Sequence, residues 1–250
     1  MRIYFTLVRR EMGSFFASLT GYLIIAIVAL LLGISFTVLL RELNQEPTDM
    51  PVTELFYISI YFWLILLLSA PVITMRSFAL EKSTGTYETL MTTPVTDLAV
   101  VLAKFASAML FYAIMWLPLL ACISIVRHYS NDSSAQEAGP LASTFLGILL
   151  LGGLFTSMGC FASALTRNQI IAAIISFALG MALFFMSFLS LMARSQASWQ
   201  SALVNQVAIL EHMREFTRGV VDTRYLVFYL SLTVFFLFLT LKVVESRRWK

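Results

Sequence analysis

Residues 55–75 read LFYISIYFWLILLLSAPVITM, an apolar stretch without a charged residue. A helix needs about 20 such residues to cross the hydrocarbon layer of a bilayer, so this stretch predicts a transmembrane helix. Five further stretches predict the same: residues 20–40, 99–126, 143–166, 170–193 and 225–244. The whole chain is 59% hydrophobic and 12% charged, whereas soluble proteins are about 45–50% apolar and about 25% charged. The composition therefore indicates an integral membrane protein.

The length of the apolar stretches decides between helices and a β-barrel, the two architectures that satisfy every backbone hydrogen bond inside a bilayer. Barrel strands would appear as alternating segments of about ten residues, whereas these stretches are continuous and much longer. We therefore predict an all-α integral membrane protein with six transmembrane helices in a single domain, residues 1–250.

The segment after the quoted stretch, residues 76–95, reads RSFALEKSTGTYETLMTTPV and forms a polar island before the third predicted span. A glycine and a proline punctuate it, and glutamates and a lysine charge it. It also carries large apolar side chains that a solvated linker would not need: Phe78, Leu80, Tyr87, Leu90 and Met91. This combination predicts a docking surface for another protein at one membrane face.

Two other segments show helical periodicity outside the spans. Residues 1–19 place apolar residues on one side and arginines on the other, which predicts an amphipathic helix along the inner membrane surface. A basic flank that merely obeys the positive-inside rule is the alternative. Residues 194–224 predict one or two short amphipathic helices at the outer interface, between helices five and six. Such helices would be equally consistent with two roles. They could form a lid that covers the bundle, or they could form part of an exit path.

Basic residues orient the predicted bundle, because inner loops of membrane proteins are enriched in Lys and Arg. With both termini inside, ten of the 17 basic residues lie on the inner side and six on the outer side, and Lys104 lies near the inner boundary. We therefore expect both termini, and the polar island, to be cytoplasmic. This asymmetry accounts for the net charge of +3 without any nucleic-acid partner.

The central parts of the predicted spans carry no ionisable residue, and Arg76, Lys104 and Lys242 lie near span ends. Charges inside membranes are costly and mark ion-coupled carriers and proton relays, so a gradient-driven carrier is disfavoured. Motifs for an intramembrane hydrolase and for a phosphate-binding loop are missing, so ATP must be hydrolysed by another chain if it drives transport. His212 stands near two glutamates without a further His or Cys, and we expect it on a solvated face rather than at a metal.

Small residues and prolines predict how the spans pack and bend. Small residues recur every four positions in the fourth and fifth spans, at Gly152, Thr156, Cys160 and Ala164 and at Ala172, Ser176 and Gly180. They allow close helix approach, within the hairpin of these two spans or, as the second reading, at a subunit interface. Pro71 and Pro118 predict kinks in the second and third spans.

The polar island also carries a sequence pattern: Arg76-x-x-Ala79-x-Glu81-Lys82-x-x-Gly85-Thr86-x-Glu88-x-Leu90-x-x-x-Pro94-Val95. This pattern, after the second of six helices, resembles the signature of type-2 ABC-transporter permeases. The C-terminal part, from Glu211-His212 through Arg218-Gly219 and Asp222 to Arg247-Arg248-Trp249, is similar to one branch of these proteins. That branch includes the gliding-motility-associated permease subunit and the permease of copper-site maturation in nitrous oxide reductase.

The resemblance implies an assembly. Two permease chains, identical or different, would face each other in a bacterial inner membrane. Two separate ATPase subunits, which bind ATP and Mg, would dock below them, and a periplasmic accessory protein is an optional further partner. Residues 1–19 would be the elbow helix and residues 76–97 the coupling helix. No cofactor, metal or catalytic residue is expected in the chain itself.

The resemblance also carries over candidate ATPase-coupling residues: Arg76, Glu81, Lys82, Gly85, Thr86, Glu88, Leu90 and Pro94. We expect the two glutamates to pair with basic groups on the ATPase, the leucine to fill a cleft, and the glycine and proline to set turns. The implied function is ATP-driven movement of a substrate, and the uncharged helices favour a lipid-like or amphiphilic one. Mechanotransmission to a periplasmic partner without solute transport, and a structural membrane anchor, stay open as alternatives.

Overall fold

The computed structural model describes residues 2–45, 52–87, 95–129, 138–193 and 207–246. Within these residues the chain forms eleven helices and no strand. In chain order the helices are α1 (Arg2–Phe16), α2 (Leu19–Gln45), α3 (Val52–Ile58), α4 (Ile60–Thr74), α5 (Ala79–Thr84), α6 (Asp97–Met115), α7 (Leu117–Tyr129), α8 (Ala138–Leu165), α9 (Gln169–Ala193), α10 (Ile209–Thr217) and α11 (Thr223–Ser246).

In the part of the chain that the structure describes, six stretches are long and apolar enough to cross a bilayer, which agrees with the predicted number of spans. They are Leu19–Glu42, Ile60–Thr84, Asp97–Ile125, Gly139–Leu165, Gln169–Phe188 and Thr223–Ser246. The second combines α4 with α5, and the third combines α6 with α7.

The second span begins at Ile60, after the capping residue Ser59 and later than the sequence predicted. Ser59 is extended (φ −60°, ψ 133°) and its hydroxyl accepts a hydrogen bond from the N–H of Tyr61 at 3.3 Å. A serine in this position caps a helix start. Its hydroxyl also lies 3.2 Å from that of Ser35 in α2. Residues 52–58 therefore form the separate short helix α3 rather than the start of the span.

The two prolines act differently. Pro118 is the second residue of α7, and a turn at Trp116 separates α7 from α6. A proline is tolerated in a first helical turn, where its missing N–H has no partner to lose. Pro71 lies inside α4, which continues to Thr74. The third span is therefore interrupted beside Pro118, whereas α4 continues through Pro71, and the kinks at the two prolines stay predictions.

Helix α8 is the centre of the bundle and packs against α4, α6, α9, α10 and α11. A Cβ atom added to Gly159 would lie 1.9 Å from the Thr74 hydroxyl of α4 and 3.1 Å from that of Ser176 in α9. One added to Gly152 would lie 2.1 Å from the Tyr112 ring of α6. Small residues thus allow close approach. The predicted hairpin packing with α9 is present, but Gly152 faces α6 instead.

The two ends of α8 hold two short helices at opposite faces of the membrane. The Ser143 hydroxyl donates to the carbonyl of Phe216 in α10 at 2.6 Å. The Ser163 hydroxyl accepts from the N–H of Ala79 in α5 at 3.0 Å. Twenty residues of α-helix measure about 30 Å, which matches the hydrocarbon thickness of about 30 Å. We call the two faces the α5 end and the α10 end.

The first and last described helices both reach the α5 end. Helix α1 packs against the third span, where Phe15 stacks on Phe111 with ring centroids 4.8 Å apart. The end of α11 contributes Val244 to a buried cluster with Phe78 and Tyr87 beside α5. The chain therefore begins and ends, as far as it is described, on one side of the membrane.

Candidate functional site

Helix α5 has a buried base and an exposed tip. Phe78, which precedes it, is fully buried, and Lys82 in its middle is only 8% exposed, whereas residues 83–86 are exposed. Gly85 ends the helix at φ +74°, a left-handed conformation that suits glycine. The tip consequently projects from the α5 end while the base belongs to the packed bundle.

Two contacts attach the base to the end of α8. The Ser163 hydroxyl accepts hydrogen bonds from the N–H groups of Phe78 and Ala79, both at 3.0 Å, and donates to the carbonyl of Met75 at 3.2 Å. The Lys82 ammonium donates to the carbonyl of Ala164 in the last turn of α8. A cation there also interacts favourably with the negative end of the helix dipole.

An ion network connects α5 to α6 and α1. The ammonium of Lys104 lies 2.8 Å from Glu81 Oε1 and 3.3 Å from Glu11 Oε1. Its side chain is 2% exposed, and those of the glutamates are 18% and 15% exposed. Arg10 adds a contact of 2.7 Å to Glu11 and one of 3.7 Å to Glu81. A buried lysine must be paired, so three helices are held together by one charge.

A cavity of about 650 Å³ lies between α1, α5 and α6. Its walls carry the charges of this network, the side chain of Arg76 and several serine hydroxyls. Arg76 donates a hydrogen bond to the hydroxyl of Thr20 at the start of α2. The cavity therefore combines ionic and polar groups where the spans end.

The structure places five predicted coupling residues around α5: Arg76, Glu81, Lys82, Gly85 and Thr86. The others, Glu88, Leu90 and Pro94, lie outside the described residues. Gly85 sets a turn, as expected. Glu81 differs from expectation, because its carboxylate pairs with Lys104 inside the chain instead of facing outward.

A sequence profile described as ABC-2 family transporter protein matches residues 19–183, about two thirds of the chain. The chain belongs to the ABC-2 transporter family. Members are membrane permease subunits that work with an ABC ATPase in a bilayer, and this permease is accordingly an integral membrane protein. Among proteins with curated functions, none matches the permease significantly. The matched range includes α5 and all of α8 but ends before α10.

The α10 end of the permease carries a second buried charge. Glu54 of α3 is 2% exposed, and its Oε1 lies 2.8 Å from Arg218 and 3.3 Å from Arg214. Hydrogen bonding to Arg218 holds the pKa of the Glu54 carboxyl below its usual range. Nearby, burial raises the pKa of Tyr57, whose hydroxyl donates to the carbonyl of Leu210. These contacts attach α10 to α3.

The prediction that His212 lies on a solvated face is wrong. Its side chain is 2% exposed, stacks on the Tyr225 ring at 4.0 Å, and has Nδ1 3.2 Å from the Tyr229 hydroxyl. The residues that share its buried face show the missed signal, a helical stripe: Ile209, His212, Met213 and Phe216. In the part of the chain that the structure describes, no cluster of three His, Cys, Asp or Glu side chains could hold a metal.

Sequence reasoning also missed the network around Lys104. An ionisable residue at a span end is expected to have a partner, and that signal was present in the sequence. The sequence did not show which residue pairs with Lys104, because Glu11 is 93 residues away from it along the chain.

Proposed function

We propose that this permease couples ATP hydrolysis by separate ABC ATPase subunits to the movement of a substrate, with α5 as the coupling helix. The observation that supports this is the contrast between the exposed tip and the buried base of α5. A tip of small polar residues is accessible to a partner, whereas Phe78 and Lys82 attach the base to the bundle.

The contacts of the base define a route for force. A push on the tip reaches α8 through Ser163 and Lys82, and it reaches α6 and α1 through the pair of Glu81 and Lys104. Packed interiors respond as rigid bodies rather than by continuous deformation. Closure of the ATPase dimer would therefore shift these three helices together.

The same proposal includes an orientation of the permease in the membrane and an assembly with other chains. The α5 end would face the cytoplasm of a bacterial inner membrane, with α1 as the elbow helix and both termini on that side. Exposed arginines at this end, including Arg9 and Arg167, support that orientation. A second permease chain would complete the assembly, ATP and Mg would bind the ATPase subunits, and the substrate would be lipid-like or amphiphilic. The branch would be that of the gliding-motility and nitrous oxide reductase maturation permeases.

A second candidate function is mechanotransmission to a periplasmic partner without solute transport. The observation that favours it is the attachment of α10 to the other end of α8, through Ser143 and Phe216 at 2.6 Å. The Thr53 hydroxyl of α3 adds a hydrogen bond to the carbonyl of Thr217 at 2.8 Å. One rigid helix thus contacts both α5 and α10, so movement at one face would reach the other.

The test is to purify the permease with a candidate ATPase and to measure co-elution and ATP hydrolysis for a variant of the tip. Thr86→Arg adds a large cation at an exposed position and should abolish association while the permease still folds. Ser246→Arg is the matched control, because Ser246 is exposed at the end of α11 on the same face.

The proposal fails if Thr86→Arg and Ser246→Arg associate with the ATPase and stimulate hydrolysis equally. Association with the wild-type permease, but without transport of any amphiphile into vesicles during hydrolysis, would favour mechanotransmission. A folded permease that binds no ATPase would favour the alternative that the protein is a structural membrane anchor.

A further inference from the structure

We propose that the cavity between α1, α5 and α6 binds the phosphate headgroup of one anionic phospholipid, with Arg76 as the main phosphate ligand. The inference rests on the cavity itself and does not depend on ATP coupling. Its volume of about 650 Å³ lies within the range of about 300–1,000 Å³ that is typical of small-molecule sites.

The charges around the cavity leave one cation without a carboxylate. The two carboxylates of Glu81 and Glu11 balance the charges of Lys104 and Arg10. Each carboxylate lies within 4 Å of both cations. Arg76 lines the same cavity, and no carboxylate among the described residues pairs with it. Among the described residues that line the cavity, three cations and two carboxylates give a net charge of +1, which suits a phosphodiester with its one negative charge. A guanidinium can also bind two phosphate oxygens at once.

The depth of Arg76 suits a lipid headgroup. Its guanidinium donates to Thr20, the second residue of a membrane span that begins at Leu19. It therefore lies where hydrocarbon gives way to headgroups, the level at which arginines of membrane proteins meet phosphates.

The remaining polar walls favour a headgroup that carries hydroxyl groups. The hydroxyls of Ser14 and Ser107 donate to helix carbonyls, those of Glu11 at 2.6 Å and Lys104 at 2.9 Å. Their oxygens can accept further hydrogen bonds from a ligand, because a hydroxyl has two lone pairs. A glycerol headgroup provides such donors, whereas a trimethylammonium headgroup does not.

The test is native mass spectrometry of the full-length permease in detergent with phosphatidylglycerol, phosphatidylcholine or inorganic phosphate added. We expect one phosphatidylglycerol to be retained at least about tenfold more strongly than phosphatidylcholine, and Arg76→Gln to abolish this preference. Arg167→Gln, an exposed arginine at the same end but outside the cavity, should keep it.

A second variant protects the test against misfolding of Arg76→Gln. Ser14→Phe fills the cavity from an exposed position on α1 and leaves every charge in place, so it should also lose the bound lipid. Phosphatidylglycerol should raise the melting temperature of the wild type and not of Ser14→Phe, because a ligand stabilises only the state that binds it.

Three results would overturn the proposal. One is equal retention of the two lipids by the wild type. Another is a loss of binding in Arg167→Gln as large as in Arg76→Gln, which would indicate general attraction between basic residues and lipid. The third is complete displacement of the lipid by millimolar inorganic phosphate, which would assign the cavity to a free anion.

Discussion

Replacing Lys104 by methionine tests whether the ion network holds α5 to the bundle. The substitution keeps most of the side-chain volume but leaves the carboxylates of Glu81 and Glu11 without their shared cation. Removing one partner of a buried ion pair costs about 3–5 kcal/mol. The side chains of Glu11 and Glu81 are 15% and 18% exposed rather than fully buried, and Arg10 stays 2.7 Å from Glu11, so we expect a loss of about 2–3 kcal/mol.

The assay is thermal unfolding of the purified permease in detergent, followed by tryptophan fluorescence. For chains of 150–250 residues, 1 kcal/mol shifts the melting temperature by about 2–4 °C, so Lys104→Met should melt about 4–12 °C lower. Lys242→Met is the matched control. Lys242 is 56% exposed and pairs with Glu245 at 2.8 Å along one helix, so its loss should cost less than about 0.5 kcal/mol.

A double variant separates the ion pair from the loss of lysine packing. Lys104→Met combined with Glu81→Met replaces the buried pair by apolar groups, which is often neutral for stability. We expect it to recover at least half of the loss. The reasoning is refuted if Lys104→Met melts like Lys242→Met, or if the double variant is less stable than Lys104→Met alone.

Two further predictions concern α8 and the α10 end. Gly159→Ala should lower stability by about 1–3 kcal/mol, because its Cβ would lie 1.9 Å from the buried Thr74 hydroxyl, whereas Gly153→Ala, with no atom closer than 3.8 Å, should be neutral in the same melting assay; similar melting of both variants would contradict this packing. The lowered pKa of Glu54 means that its pairing with Arg218 stabilises the fold above the ordinary carboxyl pKa of about 4.3 and loses this effect as the pH falls through the lower folded value. The wild type should therefore lose more melting temperature than Glu54→Gln between about pH 5 and pH 3, and parallel curves would contradict the pairing.

The structure places α5 at the end of the second span. The pattern around Glu81 and Gly85 predicted that position, because a polar island between two spans must lie at a membrane face, and its role in coupling stays a prediction. It did not indicate that Glu81 points inward, since the alternation of buried and exposed residues in a helix as short as α5 is too brief to read. The stripe of His212 and Phe216 was visible in the sequence, yet the nearby glutamates suggested that His212 lies on the solvated face of its amphipathic helix.

The sequence by itself determined the six apolar stretches, each of which forms a helix long enough to cross a membrane. That result depends on runs of apolar residues, and each run must form a helix in hydrocarbon whatever its neighbours do, because unpaired backbone groups are too costly there. Only the tertiary structure decided which charges meet. Lys104 pairs with Glu81 and Glu11 because three helices converge at the α5 end, and such partners are set by packing between segments far apart in the chain.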